Sequence, residues 1–263
     1  MRRTLVHLYG PFSIHSFGLM IALGLLVFTW LVLRHQGRKK IISSEQLIDV
    51  LLIGVVTATI GGRALYIFAE GARWDDLLCF WNGGFSILGT VLSLLIVLPW
   101  YLYSRSIPIL PFFDLVALYA PLMQAISRTG CFFAGCCYGL QTQVPWAIVY
   151  SDSESIAPLG TALHPTQLYS SIALLSIFLF LYYICQPLFK KPGQIVSLYL
   201  ILISIERFSV DFFRGDQEFF ANPSLQLFSI NQWIALALLG IAIICFCVSS
   251  YLTLNHSTST DVR

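Results

Sequence analysis

Apolar segments of membrane-spanning length recur along the 263-residue chain, and no other feature limits its fold as strongly. A bilayer's hydrocarbon core is crossed by about 20 helical residues. Runs of that kind fall at about 15–33, 47–69, 84–103, 111–134, 166–186, 195–213 and 229–250, which predicts seven helices. The fourth and sixth differ from the others in carrying charge. Charged residues make up 11% of the chain, against about 25% in a soluble domain, and mean hydropathy is +0.78. A water-soluble fold is excluded. The expected fold is an all-α polytopic membrane protein, a single integral membrane domain over 1–263. A small extracytoplasmic cap between the fourth and fifth helices is expected at about 140–165. Its first half, through Pro145-Trp-Ala-Ile-Val-Tyr150, reads as strand-like, and Ser151-Asp-Ser-Glu-Ser155 as loop.

Basic residues set the expected orientation. If seven helices alternate, one side receives Arg34, Arg38, Lys39, Lys40, Arg105, Lys190, Lys191 and Arg263, and the other only Arg2, Arg3, Arg73 and Arg214. The richer side is cytoplasmic, so the N-terminus lies outside and the C-terminus in the cytoplasm, with Arg2 and Arg3 opposing the trend. The first apolar run exceeds the 7–15 residues of a signal-peptide core and is followed by a basic cluster, so it reads as a retained helix. No internal repeat is evident, which argues against a transporter built from duplicated halves.

Three arginines, Arg63, Arg128 and Arg207, fall inside apolar runs. A guanidinium at membrane depth is costly unless it meets an anion or lines a wet cavity, so such residues mark candidate sites. Arg207 and Asp211 are four apart, share a helix face and can pair. Arg128 has Gln124, Ala125, Cys131 and Phe132 at the neighbouring helical positions, and therefore needs a partner from elsewhere. A phosphate is the natural candidate, since arginine offers it bidentate donors. His164-Pro-Thr-Gln167-Leu-Tyr169 opens the fifth helix, with His164 either capping it or serving the site. Gly61-Gly62-Arg63, Gly83-Gly84-Phe-Ser86 and Gly139 lie at a similar expected depth. These polar groups predict a cavity opening toward the outer leaflet, in which the glycines either pack helices closely or admit a ligand to the backbone. Arg214 reads as a side chain that snorkels to the interface.

Of the seven cysteines, Cys185, Cys245 and Cys247 read as inert core residues, and Cys79 as a residue near the outer surface. Cys131, Cys136 and Cys137 match no zinc-ligand spacing, alone or with His164, so neither a metal nor a cofactor is expected. No nucleic-acid partner is expected.

Taken in order, several short motifs resemble the bacterial prolipoprotein diacylglyceryl transferases. They are Ser16-Phe-Gly-Leu-Met20, Gly61-Gly-Arg-Ala-Leu-Tyr66, Trp81-Asn-Gly-Gly-Phe-Ser86, Arg128-Thr-Gly-Cys-Phe-Phe-Ala-Gly-Cys-Cys-Tyr-Gly139, Pro145-Trp-Ala-Ile-Val149, His164-Pro-Thr-Gln-Leu-Tyr169 and Arg207-Phe-Ser-Val-Asp-Phe-Phe-Arg214. The resemblance implies a multi-pass enzyme of the bacterial cytoplasmic membrane. It would move the diacylglyceryl group of phosphatidylglycerol onto the lipobox cysteine thiol that follows a prolipoprotein signal peptide, releasing glycerol phosphate. It implies catalytic roles for Arg128, Arg207, Asp211 and His164, with Arg128 holding the lipid phosphate. Arg63, Gly83, Gly84, Ser86, Gly139, Gln167 and Tyr169 would bind substrate. The chain departs from the family pattern at Leu88, where His or Tyr is common, at Phe17, where a Tyr is found, and at Cys131 and Ile203. Leu88 and Phe17 cannot accept a proton, so a base would come from Asp211, His164, Tyr169 or water. A homologue that binds anionic lipid or signal peptides without transfer, and an anion transporter, are the competing expectations.

Overall fold

The computed structural model describes residues 4–9, 12–71, 75, 77, 84–220 and 226–258. Trp81, Asn82 and Gly83 of the third motif, with Arg2, Arg3, Arg73, Cys79 and Arg263, lie outside the described residues.

Among the described residues seven long helices form: α1 Ser16–Arg34, α2 Ser44–Glu70, α3 Ile87–Ser104, α4 Ile109–Ala134, α5 Thr166–Phe180, α6 Gln194–Asp211 and α7 Ile230–Thr258. A π-helical turn at Leu181–Cys185 carries α5 on to Leu188. Six of the seven are long and apolar enough to cross a membrane, α6 being the exception. Its 18 residues include Glu206, Arg207 and Asp211, so composition does not qualify it as a span. The apolar helices turn large side chains outward, among them Leu26, Ile96, Trp100, Ile172 and Ile244. Surface of that kind suits lipid rather than water. The chain is an all-α polytopic membrane protein.

The helices fall into two compact units, one built on α2 and α3 and the other on α1 and α4 to α7. In the first, Ser43 and Gln46 form a reciprocal capping box that starts α2. Gly61 and Gly89 let α2 and α3 meet almost backbone to backbone: a Cβ on Gly89 would lie 2.3 Å from the Gly61 carbonyl oxygen. The contact is hydrogen-bonded as well, Ser93 Oγ donating to the Thr57 carbonyl at 3.2 Å and Thr90 Oγ1 to that of Ala58 at 3.1 Å. Close approach of small residues with side-chain hydrogen bonds is how helices associate where hydrophobic burial drives little. Gly61 and Gly89 are therefore packing residues.

In the second unit α4 is the most enclosed of the apolar helices. Gly24 of α1 fits beneath the Met123 carbonyl. Ser171 of α5 donates to the Ala125 carbonyl at 2.9 Å, and Gln124 donates to the Tyr199 hydroxyl of α6 at 2.9 Å. Asp114 of α4 accepts the backbone N–H groups of Gly193 and Val196 at 2.6 and 2.8 Å, a carboxylate on the positive end of α6. Ser229 and Gln232 form a capping box at the start of α7, and Gln232 also donates to the Phe208 carbonyl of α6. These ties bring the C-terminal ends of α4 and α6 to the N-terminal end of α5.

Strands β1 (Thr4–Tyr9) and β2 (Phe12–His15) pair with each other. Between α4 and α5, β3 (Ile148–Val149) runs antiparallel to β4 (Ala162–Leu163), Ile148 opposite Leu163 and Val149 opposite Ala162. This cap has its own small core of Tyr150, Ala157 and Leu163, with Tyr138 and Ile148 against it. The Tyr150 hydroxyl donates to the Phe132 carbonyl at 3.1 Å, which ties the cap to the end of α4.

Candidate functional site

Where α4, α5 and α6 converge, a narrow cleft is lined by Arg128, Cys137, Thr166, Gln167, Ser170, Arg207, Val210 and Arg214. The lining carries three guanidinium groups and no carboxylate. The sequence places these groups by helical spacing. Thr166, Gln167 and Ser170 occupy the first turns of α5 on one face, and Arg207 and Val210 are three apart on α6. Thr166 Oγ1 donates to the Cys137 carbonyl at 2.7 Å and Gln167 Nε2 to the Cys136 carbonyl at 2.8 Å, locking the start of α5 to the turn after α4. Gln167 is 1% exposed and its Oε1 has no hydrogen-bond partner among the described residues.

The carboxylates stand behind this lining. Arg207 pairs with Asp211 at 3.6 Å, as the four-residue spacing predicts. Asp211 is fully buried, lies 3.8 Å from Arg214 and accepts the Ser229 hydroxyl. Arg214 departs from its expected snorkelling. Its side chain is 9% exposed, because Asp216 receives it bidentately at 2.8 and 2.7 Å and offers a partner nearer than solvent. Burial works to lower its pKa, but the Asp216 hydrogen bonds and charge raise it overall. Ser170 donates to Glu206 at 2.6 Å. Arg128, by contrast, has no carboxylate within ion-pair distance among the described residues. Its side chain donates from Nη1 to Cys137 Sγ at 3.9 Å.

The other expected site residues are distributed differently. His164 does not cap α5; Pro165 holds the cap position without a side-chain hydrogen bond. His164 Nδ1 lies 3.1 Å from the Tyr169 hydroxyl, which also accepts Trp146 Nε1 at 2.7 Å, and the His164 and Tyr169 rings stack edge-on against Phe213. This His–Tyr–Trp group is outside the cleft lining. Gly139 is where two stretches of backbone cross, since a Cβ there would lie 2.4 Å from the His164 carbonyl oxygen and 2.9 Å from that of Phe213. Arg63, Gly84 and Ser86 belong to the α2–α3 unit, in which Arg63 Nη1 donates to the Gly84 carbonyl at 2.8 Å and Ser86 caps α3. Leu88 is 62% exposed and Phe17 38%.

Sequence reasoning missed two groups. One is Arg214 as a cleft residue; the carboxylate two positions on, Asp216, was the available signal. The other is the thiol cluster. Cys131, Cys136 and Cys137 bring their sulfur atoms within 4.8 Å of one another, and His164 is not part of the group. Left-handed backbone at Gly135 (φ 71°) and Cys137 (φ 57°) reverses the chain after α4 and folds the second and third thiols back onto the first. Hydrogen bonds from Cys131 and Cys136, then the charges of Arg214 and Arg128, hold the Cys137 thiol below its usual range. Of the cysteines expected in helix cores, Cys185 is buried, whereas Cys245 and Cys247 face outward, where a thiol suits lipid as well as it suits a core.

The fold and the cleft together define a multi-pass membrane protein with a cluster of arginines gathered where its helices converge. The family described as prolipoprotein diacylglyceryl transferase matches residues 3–248. A phosphatidylglycerol–prolipoprotein diacylglyceryl transferase of Clostridium tetani is 32% identical over 256 residues, covering 95% of this chain and 99% of that one. A second, from Clostridium perfringens, is 33% identical over 91% of this chain and 92% of its own. One from Polaromonas naphthalenivorans is 31% identical over 89% and 90%. The chain belongs to the prolipoprotein diacylglyceryl transferase family.

Proposed function

We propose that the cleft receives the phosphodiester of phosphatidylglycerol, and that the chain transfers the lipid's diacylglyceryl group to the lipobox cysteine thiol of a prolipoprotein. The observation that carries this reading is Arg128, a cleft guanidinium without a carboxylate partner among the described residues, beside Arg207 and Arg214. The thiol sulfur attacks the glyceryl carbon that bears the phosphate, the carbon–oxygen bond breaks, and glycerol phosphate leaves with a second negative charge developing on its oxygens. Guanidinium groups held in place before the reaction stabilise that growing charge. Arg128 makes the principal phosphate contact; Gln167 and Ser170 shape the same wall, their donors already held by Cys136, Tyr150 and Glu206. Asp211 acts as a positioning anion: its Oδ2 accepts the Ser229 hydroxyl and its Oδ1 lies 3.6 Å from Arg207 and 3.8 Å from Arg214. His164, 3.1 Å from the Tyr169 hydroxyl and outside the lining, is a candidate proton acceptor. Arg63, Gly84 and Ser86, gathered within the α2–α3 unit, are proposed substrate-binding residues.

The setting follows from the same reading: a bacterial cytoplasmic membrane, seven crossings with α6 included, the N-terminus outside, the C-terminus inside and the cleft toward the outer leaflet. There it meets both membrane-bound substrates, the lipid and the signal peptide. The test uses purified full-length protein with phosphatidylglycerol and a lipobox peptide, and measures release of glycerol phosphate. Release at a rate abolished by Arg128→Ala is expected. No release where a known family enzyme is active overturns the reading, and lipid binding without release would mark a non-transferring homologue instead.

A further inference from the structure

We propose that Cys131, Cys136 and Cys137 form a three-thiolate site for Zn²⁺ in the wall of the cleft, whose open fourth position takes the lipobox thiol. The substrate half of this inference rests on the transfer reading above.

The three sulfur atoms already lie within 4.8 Å of one another. Tetrahedral zinc with Zn–S distances of about 2.3 Å places its sulfurs roughly 3.8 Å apart, so the cluster closes on the ion by side-chain shifts of about 1 Å. Soft thiolates select zinc over magnesium or calcium. Among the described residues no histidine or carboxylate joins the three. Three protein ligands and one open position is the pattern of catalytic zinc, whereas structural sites are closed by four. The ligand loop converges: Cys131 is buried at the end of α4, and the left-handed backbone at Cys137, uncommon for a residue other than glycine, lies in the turn that brings the thiols together. Arg128 donates to Cys137 Sγ at 3.9 Å, as an outer group that balances a ligand thiolate would. Cys137 itself lines the cleft, so the cluster borders the place proposed for the phosphate.

The site would supply what Leu88 and Phe17 cannot. A thiol that coordinates zinc is deprotonated outright. The lipobox S–H proton leaves to water as the Zn–S bond forms. The zinc-held sulfur then attacks the glyceryl carbon, the carbon–oxygen electron pair goes to the departing phosphate, and the neutral thioether, a weak ligand, dissociates. Nothing is oxidised or reduced.

The experiment measures metal before activity. Full-length protein purified in detergent is analysed by elemental mass spectrometry, then by cobalt substitution, which reports thiolate ligands through an intense near-ultraviolet charge-transfer band. About one zinc per chain and the cobalt band are expected in the parent, both lost in Cys137→Ser and Cys131→Ala and both kept in Cys245→Ser. Absence of zinc and of the cobalt band in the parent, which needs no variant to fold, overturns the proposal. So does a disulfide between any two of the three cysteines in the purified parent. Chelated protein should lose transfer by about a hundredfold, the scale of a lost proton-transfer catalyst, and regain it with zinc. Full transfer without metal overturns the zinc site and leaves the transfer reading standing. Bound zinc with no transfer in any form overturns the transfer reading and, with it, the assignment of the fourth position.

Discussion

The sharpest test of the cleft is Arg128→Gln, because stability and function should separate there. Arg128 holds no ion pair among the described residues, and its hydrogen bond to Cys137 Sγ is long at 3.9 Å. Removing its charge deletes little of the fold and relieves repulsion from Arg207, whose own pairing is with Asp211. Folding stability should therefore stay within about 0.5 kcal/mol of the parent, the usual range for positions without a structural partner. Substrate is another matter. Two charge-assisted hydrogen bonds to a phosphate, each about 1.5–3 kcal/mol, amount to about 3–6 kcal/mol. That is about two to four decades in turnover at low lipid concentration. The assay pairs thermal unfolding in detergent, with and without phosphatidylglycerol, with glycerol phosphate release. The expected result is an unchanged melting temperature without lipid, loss of the lipid-dependent rise, and at least a hundredfold loss of release. A variant that unfolds several degrees early, or keeps its release rate, would refute the reasoning.

Asp211→Asn should show the opposite pattern, since it removes the buried anion shared by Arg207 and Arg214. Breaking a buried pair costs about 3–5 kcal/mol; Arg207 is 26% exposed and Arg214 keeps Asp216, so about 2–3 kcal/mol is expected, read as a clear fall in melting temperature. Gly89→Ala drives a Cβ to 2.3 Å from the Gly61 carbonyl, and separation of α2 from α3 should cost about 1–3 kcal/mol, measured as earlier thermal unfolding. Burial pushes the Tyr150 phenol up to about 12. Its folded-state pKa is above the unfolded value of about 10, so the stability it contributes is full below pH 10 and is lost as pH rises toward 12. Tyr150→Phe should flatten that alkaline decline in a pH series of unfolding curves while costing about 1 kcal/mol near neutrality.

The helices were readable because a bilayer demands about 20 consecutive apolar residues, a signal that survives without any partner information. α6 shows the limit of that signal: its helical run was legible, but three charges on 18 residues make its environment a matter of tertiary contacts. Arg128, Arg207 and Gln167 could be expected in one site because each is polar at membrane depth. The Arg207–Asp211 pair followed from spacing on one helix. Arg214 did not, since it lies beyond the end of α6 in a turn, where its burial depends on Asp216 and on the bridge its backbone makes to Gly139. The thiol cluster was hidden for a related reason. Cys-x4-Cys-Cys has no metal-ligand period along the chain, and only the left-handed residues 135 and 137 bring the sulfurs together.

The carboxylate of Asp114 on the first N–H groups of α6 has a consequence for how the chain matures. Three charged residues, Glu206, Arg207 and Asp211, fall in the last six residues of α6, and charge is costly in a membrane-inserting helix, so α6 gains little by entering lipid alone. Its contacts come from earlier and later segments: Asp114 and Gln124 of α4, Ser170 of α5, and Gln232 of α7. Seating of α6 is thus tied to its neighbours, and a chain ending before α7 lacks the Gln232 contact to that helix. Arg207 reaches the cleft only on that helix. The cationic lining is therefore complete only when α6 is seated, because Arg207 and the Arg214 that follows it arrive with that helix.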